Sequence, residues 1–239
     1  MSLELRLELL SDAAPGSGAG GPLVDREVVT DEHGLPVIPG RRLKGLLREA
    51  CQEVHEAFAL AGRQRWRDET LCSVDSLFGT PLQTGWVQIG DARLAGLGEG
   101  SSCADAARLA EWLTWAGSGN QQGWFRGPAL LERFTVIRSQ TAINPSTGAA
   151  RAGALRNTRL LRRGLRFAGP VALLGADAES RERTQRTLAL AAAALRRLGS
   201  ARHRGPGRVK VGLWDSQAGN LTSAGLDALN VPREGKRRR

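Results

Sequence analysis

The sequence predicts an α+β fold built on a ferredoxin-like βαββαβ core, and three observations lead to this prediction. The chain opens on Leu3 to Leu9, where leucines alternate with charged residues as in a half-buried strand. Two long segments carry apolar residues at helical spacing, and a second alternating segment follows the later one. A strand, a helix, two strands, a helix and a strand in this order are typical of that core.

The predicted elements follow this order along the chain. They are a strand at 3–9, an extended segment at 24–29, a helix at about 43–61, a strand at 86–89, a helix at 105–116, an extended segment at 130–138, a strand at 166–174, a helix at 179–198 and a strand at 209–213. This is also the RRM-like order, and the 239 residues suffice for one elaborated domain spanning 1–239. Residues 233–239 are rich in cations and are predicted to form a disordered tail.

The composition favours a polyanionic partner. Lys and Arg outnumber Asp and Glu by 34 to 24, which gives a net charge of +10 and a pI near 11.1. Residues 151–210 alone hold 15 cations against 3 anions, so the footprint should centre there. Tyr is absent and Phe numbers five, which argues against the stacked aromatics of a standard RRM and for binding through backbone charge.

The cysteines and the hydropathy pattern exclude several other classes. The three cysteines are widely spaced without a CxxC pair, which argues against a zinc site and against a disulfide framework. No apolar run approaches the roughly 18 residues that a membrane helix needs. We therefore expect a cytoplasmic protein with no membrane partner.

The first motif that carries chemistry is a strand-to-helix turn rich in cations. Its four basic residues are Arg41, Arg42, Lys44 and Arg48. Free amide groups at a helix N-terminus, together with nearby Arg and Lys side chains, make a binding site for phosphate. The alternative is an ordinary solvated helix face.

The second motif is a glycine-rich loop between the last long helix and the last strand. Gly205 and Gly207 would let backbone amides approach a phosphate closely. The basic residues that accompany them are Arg202, His203, Arg204 and Arg208. His203 has a second interpretation, as the general base of a metal-independent ribonuclease.

Together these motifs resemble a known family. The first reads Pro36-x-Ile38-Pro39-Gly40-x-x-Leu43-Lys44-Gly45-x-x-Arg48 and resembles the hallmark of the CRISPR-associated repeat-associated mysterious protein (RAMP) superfamily, while the second resembles its C-terminal glycine-rich loop. Arg41 and Arg42 stand where the family usually has small hydroxyl residues, and Pro206 stands where an aromatic is frequent. The resemblance implies a single RAMP/RRM-like domain that lies along a guide RNA (crRNA) as a backbone subunit of the Cas7 branch, beside other copies of itself, other Cas subunits and target RNA.

The polar, Arg-rich segment 138–166 looks like the β-hairpin thumb of Cas7-type subunits, which wedges between bases of the guide–target duplex. The turn signal at Asn144 to Gly148 predicts that the segment protrudes. The resemblance implies RNA contacts for Arg138, Ile143, Asn144 and Leu155. Ile143 and Leu155 are the candidates for the apolar wedge, and the alternative is that they pin the hairpin to the body.

The loop Gly20 to Asp25 is similar to the loop that carries a catalytic aspartate in type III Cas7 subunits of the Csm and Cmr backbones. This similarity implies that Asp25 holds a divalent metal, Mg²⁺, and cleaves target RNA. Asp31 is the nearest competitor, and turn formation explains it. Two alternatives remain open: a non-catalytic Cas5- or Cas7-type structural subunit in which Asp25 only forms a turn, and a Cas6-like endoribonuclease that processes crRNA with His203.

Overall fold

The computed structural model of the chain describes residues 2–16, 18–21, 24–96, 101–119, 127–174, 177–200 and 205–229, so the predicted tail at 233–239 lies outside the described residues. The strands are β1 (Leu3–Leu9), β2 (Val29–Thr30), β3 (Pro36–Ile38), β4 (Val87–Ile89), β5 (Ala92–Gly96), β6 (Thr135–Gln140), β7 (Arg156–Leu161), β8 (Arg166–Leu173), β9 (Val209–Asp215) and β10 (Gly219–Asn220). The helices are α1 (Gly40–Leu60), α2 (Gln64–Thr70), α3 (Val74–Phe78), α4 (Cys103–Gly119), α5 (Gly127–Phe134), α6 (Ala178–Ala194) and α7 (Leu221–Leu229).

One antiparallel sheet has the strand order β10-β9-β1-β8-β5-β3-β2, and β4 also pairs with β8. β1 lies between β9 and β8, with Leu5 opposite both Leu213 and Gly169. The mixed α+β class with an antiparallel sheet is therefore confirmed. The order β9-β1-β8-β5 is consistent with a ferredoxin-like core, and that finer assignment stays a prediction.

The core lies between this sheet and the helices α1 and α6, which pack against each other. The alternating leucines of β1 are buried, as are Leu43 and Leu47 of α1 and Leu188 of α6. Each fully buried leucine stabilises the fold by roughly 1.5–3 kcal/mol. The leucines that alternate along β1 and the apolar residues at helical spacing in α1 and α6 thus pack in the same core.

The opposite face of the sheet is partly covered by α4. Ala106 of this helix packs with Ala95 and Ala168, and the Glu4 carboxylate on β1 accepts a hydrogen bond from the Cys103 amide at 2.8 Å. The sheet is thus no open platform of the RRM kind. None of the described helices combines the length and apolar character needed to cross a lipid bilayer.

Two predicted boundaries are wrong. The segment 130–138 is not extended throughout, because α5 runs to Phe134 before β6 begins. Leu130, Leu131 and Phe134 recur at helical spacing and pack on the core, which outweighs their strand propensity. The helix expected at 179–198 ends at Ala194, since the Leu198 amide donates a hydrogen bond of 2.7 Å to the Gly207 carbonyl instead of continuing the helical ladder.

Candidate nucleic-acid interface

The first turn of α1 is closely packed against the connection between β4 and β5. A Cβ at Gly40 would collide with the Ile89 carbonyl, so only glycine fits at this position of the motif. The Gly40 amide donates to Asp91 Oδ1 at 2.8 Å and the Arg42 amide donates to the Pro39 carbonyl at 2.9 Å. These two amides are satisfied within the chain, so a phosphate here would depend mainly on the side chains of the motif.

The four cations of this motif have different surroundings. Arg41 is exposed, Lys44 is half-buried, and Arg42 extends toward Gly16, which lies beside its Nη1 atom. Arg48 instead donates to the Gly79 carbonyl at 2.6 Å and to Asp75 Oδ1 at 2.7 Å. The predicted RNA contact of Arg48 therefore competes with a structural role that ties α1 to the end of α3.

We expect Arg48→Ala to lower the free energy of unfolding by about 1–2 kcal/mol, because the variant loses two charge-assisted hydrogen bonds at a partly exposed position. Lys44→Ala is the matched control, with the same charge change one turn earlier and no expected loss of stability. Urea denaturation of both variants measures the difference. Equal stability of the two variants would contradict the structural role of Arg48.

Gly207, in the glycine-rich loop that precedes β9, is held against the segment 10–16. The Gly207 amide donates to the Asp12 carbonyl at 2.7 Å, and its φ of +89° and the close Leu198 carbonyl leave no room for a Cβ. Gly205 is exposed with a φ of +99°. Arg202, His203 and Arg204 lie outside the described residues, so their predicted contacts remain predictions.

The segment 10–16 brings together cations from three parts of the chain. The Arg208 amide donates to Ser11 Oγ at 2.9 Å, and the Arg163 amide donates to Asp12 Oδ1 at 2.9 Å. Arg162, Arg163 and Arg208 have exposed side chains. We call these three residues, together with Arg42 beside Gly16, the basic rim.

Sequence reasoning did not single out Arg162 and Arg163. They form the turn Arg162-Arg163-Gly164 between β7 and β8, inside the half of the chain where cations are in excess. The signal available in the sequence was a pair of adjacent arginines before a glycine, which favours a turn with both side chains exposed. In the structure Gly164 has the positive φ that such a turn requires.

A hairpin of β6 and β7, at 135–161, forms a two-stranded sheet of its own, paired from Thr135 opposite Leu161 to Gln140 opposite Arg156. Beyond the paired strands, Ile143 is 58% exposed and Leu155 is 64% exposed, so neither side chain pins the hairpin to the body. Arg138 is also exposed. Asn144 Oδ1 accepts hydrogen bonds from the amide and hydroxyl of Ser146, which makes it a turn former as well as a predicted RNA contact.

Asp25 lies against strand β7 of this hairpin. Its amide donates to the Asn157 carbonyl at 2.9 Å, and the Asn157 amide donates to Asp25 Oδ2 at 2.7 Å. Nearby, the buried Arg159 forms an ion pair of 2.9 Å with Glu27, which fixes the same segment to β7. Asp25 is exposed and, together with Leu155, lines a cleft of about 830 Å³.

Asp31 has a different environment. Its Oδ1 atom accepts hydrogen bonds from the His33 amide at 3.0 Å and from the Leu35 amide at 2.9 Å, and its side chain is 4% exposed. This is the turn that the sequence predicts for Asp31. Of the two aspartates in this region, Asp25 alone lines the cleft at the hairpin.

A magnesium ion at Asp25 would have few protein ligands. The described part of the chain contains no group of three or more His, Cys, Asp and Glu residues that could enclose a metal. Glu27, two residues from Asp25, is engaged by Arg159. Mg²⁺ commonly binds one or two carboxylates together with substrate phosphates, so these residues fit the ion when RNA supplies the remaining oxygens.

Comparisons with known proteins agree with the family that the sequence motifs resemble. A sequence model of the RAMP superfamily matches residues 6–210, whereas no curated protein gives a sequence match. Among solved structures, a chain of the type III-B Cmr-beta complex in the apo state superposes with a TM-score of 0.60 at 12% identity, covering 90% of this chain and 98% of that one.

Two further structures are similar. A chain of the type III-B Cmr-beta complex bound to cognate target RNA gives a TM-score of 0.51 at 13% identity and covers 88% of this chain, which spans only 58% of the length of that one. Oligomeric Cmr4 from Pyrococcus furiosus gives 0.49 at 16% identity, covering 92% of this chain and 99% of that one. At these identities the likeness concerns the fold.

Proposed function

The chain belongs to the RAMP superfamily, and from this premise we propose that it is an RNA-binding backbone subunit of a type III CRISPR effector, similar to Cas7 subunits. Several copies bind along one crRNA beside other Cas subunits, and the hairpin orders the duplex between guide and target RNA. The fold shared with a chain of a Cmr-beta complex supports this proposal.

The observation that carries the proposal is the cleft at the hairpin. It combines an exposed carboxylate, Asp25, with the apolar side chain of Leu155 and with exposed cations at Arg26, Arg151 and Arg156. The cations are suited to the phosphates of a nucleic acid strand, and an exposed apolar side chain is suited to an unstacked base. The hairpin exposes three large apolar residues, Ile137, Ile143 and Leu155, which therefore contribute little to the core and are available to contact a ligand.

In the proposed reaction the 2′-OH of the target RNA attacks the adjacent phosphorus in line with the leaving 5′-oxygen. Asp25 would hold a hydrated Mg²⁺, which when bound neutralises charge developing on the phosphate and activates the nucleophile. The hydrogen bond from the Asn157 amide fixes the orientation of the carboxylate. Leu155 separates neighbouring bases, and Arg151 and Arg156 hold the flanking phosphates.

A second candidate is a structural subunit without cleavage activity. The same hydrogen bond between the Asn157 amide and Asp25 Oδ2 favours it, because a carboxylate that ties a loop to β7 has a sufficient structural reason to be present. The two candidates share the RNA-binding mode and differ only at Asp25.

We expect the isolated chain to bind single-stranded RNA with little sequence preference and a strong salt dependence. If the basic rim and the hairpin residues Arg138, Arg151 and Arg156 each neutralise one phosphate, the logarithm of the association constant falls with a slope of about −5 against the logarithm of the salt concentration. Fluorescence anisotropy across a salt series measures this slope, and native mass spectrometry counts the copies on a long RNA. A slope near zero, or one copy whatever the RNA length, would contradict the proposal.

A further inference from the structure

Asp25 is held at the hairpin by a very short contact with β7. The Asp25 amide donates to the Asn157 carbonyl at 2.9 Å. The Arg159 amide donates to the Arg26 carbonyl at 3.0 Å. In the described part of the chain this contact forms a single parallel bridge, with Arg26 opposite Thr158. Backbone groups are alike at every residue, so these bonds by themselves do not determine which residue lies opposite Thr158.

The register of this contact decides where the Asp25 carboxylate points. Neighbouring side chains of an extended segment point to opposite faces, so a shift of one residue would turn Asp25 away from its present side. In the present register the Asn157 amide donates to Asp25 Oδ2 at 2.7 Å. This amide therefore reports the position of the carboxylate, whether or not RNA is bound.

A buried ion pair beside this contact distinguishes the registers. Arg159 of β7 is 8% exposed, and its Nε atom donates to Glu27 Oε2 at 2.9 Å. Its Nη1 atom donates to Thr135 Oγ1 at 3.3 Å, and the Thr135 hydroxyl donates in turn to the Leu131 carbonyl at 2.9 Å. The guanidinium is thus anchored on the side of β6 and α5, and Glu27 supplies the opposite charge that a buried cation needs.

The residues on either side of Glu27 cannot replace it. A shift of one residue would bring either Arg26, a second cation, or Val28, an apolar residue, toward Arg159. Either change would leave the buried charge of Arg159 unpaired, which is strongly unfavourable. The preceding loop also packs against Glu27, since a Cβ at Gly21 would lie 3.3 Å from Glu27 Cγ. The ion pair therefore selects one register.

From this arrangement we infer that Glu27 and Arg159 are positioning residues, whose ion pair sets the register of the Asp25 segment on β7 and thereby orients the Asp25 carboxylate. The inference deepens the proposed function and rests on it for its effect on cleavage. Neither Glu27 nor Arg159 lines the cleft at the hairpin, so each acts through Asp25 rather than on the RNA.

The test uses Glu27→Gln, which keeps a side-chain oxygen for Arg159 Nε but removes the charge. Hydrogen–deuterium exchange of the full chain without RNA is the first measurement. The Asn157 amide should exchange about 10-fold faster in the variant, while the amides of β1 keep their wild-type rates. Glu27→Asp, which keeps the charge, should show a smaller change.

Cleavage of target RNA by the assembled complex is the second measurement. In single turnover, Glu27→Gln should be slower on the order of 10-fold with unchanged target affinity, because a small displacement of a reacting group is costly. In the Asp25→Asn background the same change should cause no further loss, since a positioning residue has no effect once the group that it positions is gone.

Two further variants separate positioning from stability. Glu27→Leu combined with Arg159→Met removes both charges, so thermal unfolding should show a stability close to that of the wild type. Position 27 and Val28 are then both apolar, so the Asn157 amide should still exchange faster and cleavage should stay slow. Glu69→Gln, which breaks an exposed ion pair with Arg65, is the matched control and should change neither measurement.

The two measurements distinguish failure of this inference from failure of the proposed function. An Asn157 amide that exchanges at the wild-type rate in either Glu27 variant would overturn the inference. Full cleavage despite faster exchange would also overturn it, as would independent losses from Glu27→Gln and Asp25→Asn. A wild-type complex that does not cleave, with faster exchange in the variants, would overturn the proposed cleavage and support the ion pair as the determinant of the register.

Discussion

Asp25→Asn is expected to reduce cleavage of target RNA on the order of 10²-fold or more while leaving guide and target binding intact. Asparagine retains a side-chain oxygen that can accept the hydrogen bond from the Asn157 amide, so the loop remains tied to β7. What it loses is the negative charge that would hold Mg²⁺ and position the reacting 2′-OH. A labelled target incubated with the assembled complex, with Mg²⁺ or with EDTA, measures the effect.

Asp105→Asn is the matched control, because Asp105 is a half-buried carboxylate at the start of α4 that accepts hydrogen bonds from Ser102 and does not line the cleft at the hairpin. Its cleavage rate should equal that of the wild type. Undiminished cutting by Asp25→Asn would leave the carboxylate with its structural role and favour the non-catalytic subunit. Cutting that persists in EDTA would instead direct attention to His203 and a Cas6-like activity.

Replacing all four arginines of the basic rim, at positions 42, 162, 163 and 208, with Ala is expected to weaken guide RNA binding about 10²-fold at moderate salt. Each removed cation also lowers the steepness of the salt dependence by roughly 0.7, so the slope should fall by about 3 in total. The fold should persist, because Arg163 and Arg208 hydrogen-bond to the segment 10–16 through their backbone amides. Anisotropy titrations at several salt concentrations measure both quantities.

A control variant with Ala at Arg65, Arg108, Arg181 and Arg186 carries the same net charge. These side chains lie on α2, α4 and α6, and those of Arg65, Arg108 and Arg186 are paired with carboxylates of their own helices. Binding should weaken far less than in the basic rim variant. An equal loss in both variants would mean that net charge alone attracts the RNA and that the basic rim is not a site.

The sequence was most informative where periodicity and burial coincide. The leucines of β1 and the apolar face of α1 are buried as their spacing predicts, because a period of 2 or 3.6 can be satisfied only by one face against a core. The boundary between α5 and β6 was missed, since Leu130 and Phe134 suit a strand by propensity and a helix by spacing. Their packing on the core decided it.

The candidate site was likewise predictable only in part from the sequence. Residue types and motif order indicated a basic, glycine-rich RNA-binding surface, and the resemblance to the family singled out Asp25 and the hairpin. Sequence could not distinguish the roles of Lys44 and Arg48, because both are cations on one helix, whereas the folded chain pairs Arg48 with Asp75 and Gly79.

The sequence by itself determined the alternating strands, the two long helices, the basic excess and the family motifs, because each depends on the order of residue types along a short stretch. Only the tertiary structure decided which cations meet around the segment 10–16 and that Asp25 and Leu155 line one cleft. Except for Arg42 beside Gly16, these pairs are more than a hundred positions apart in the sequence. Such distances are set by strand order and helix packing, which no local pattern encodes.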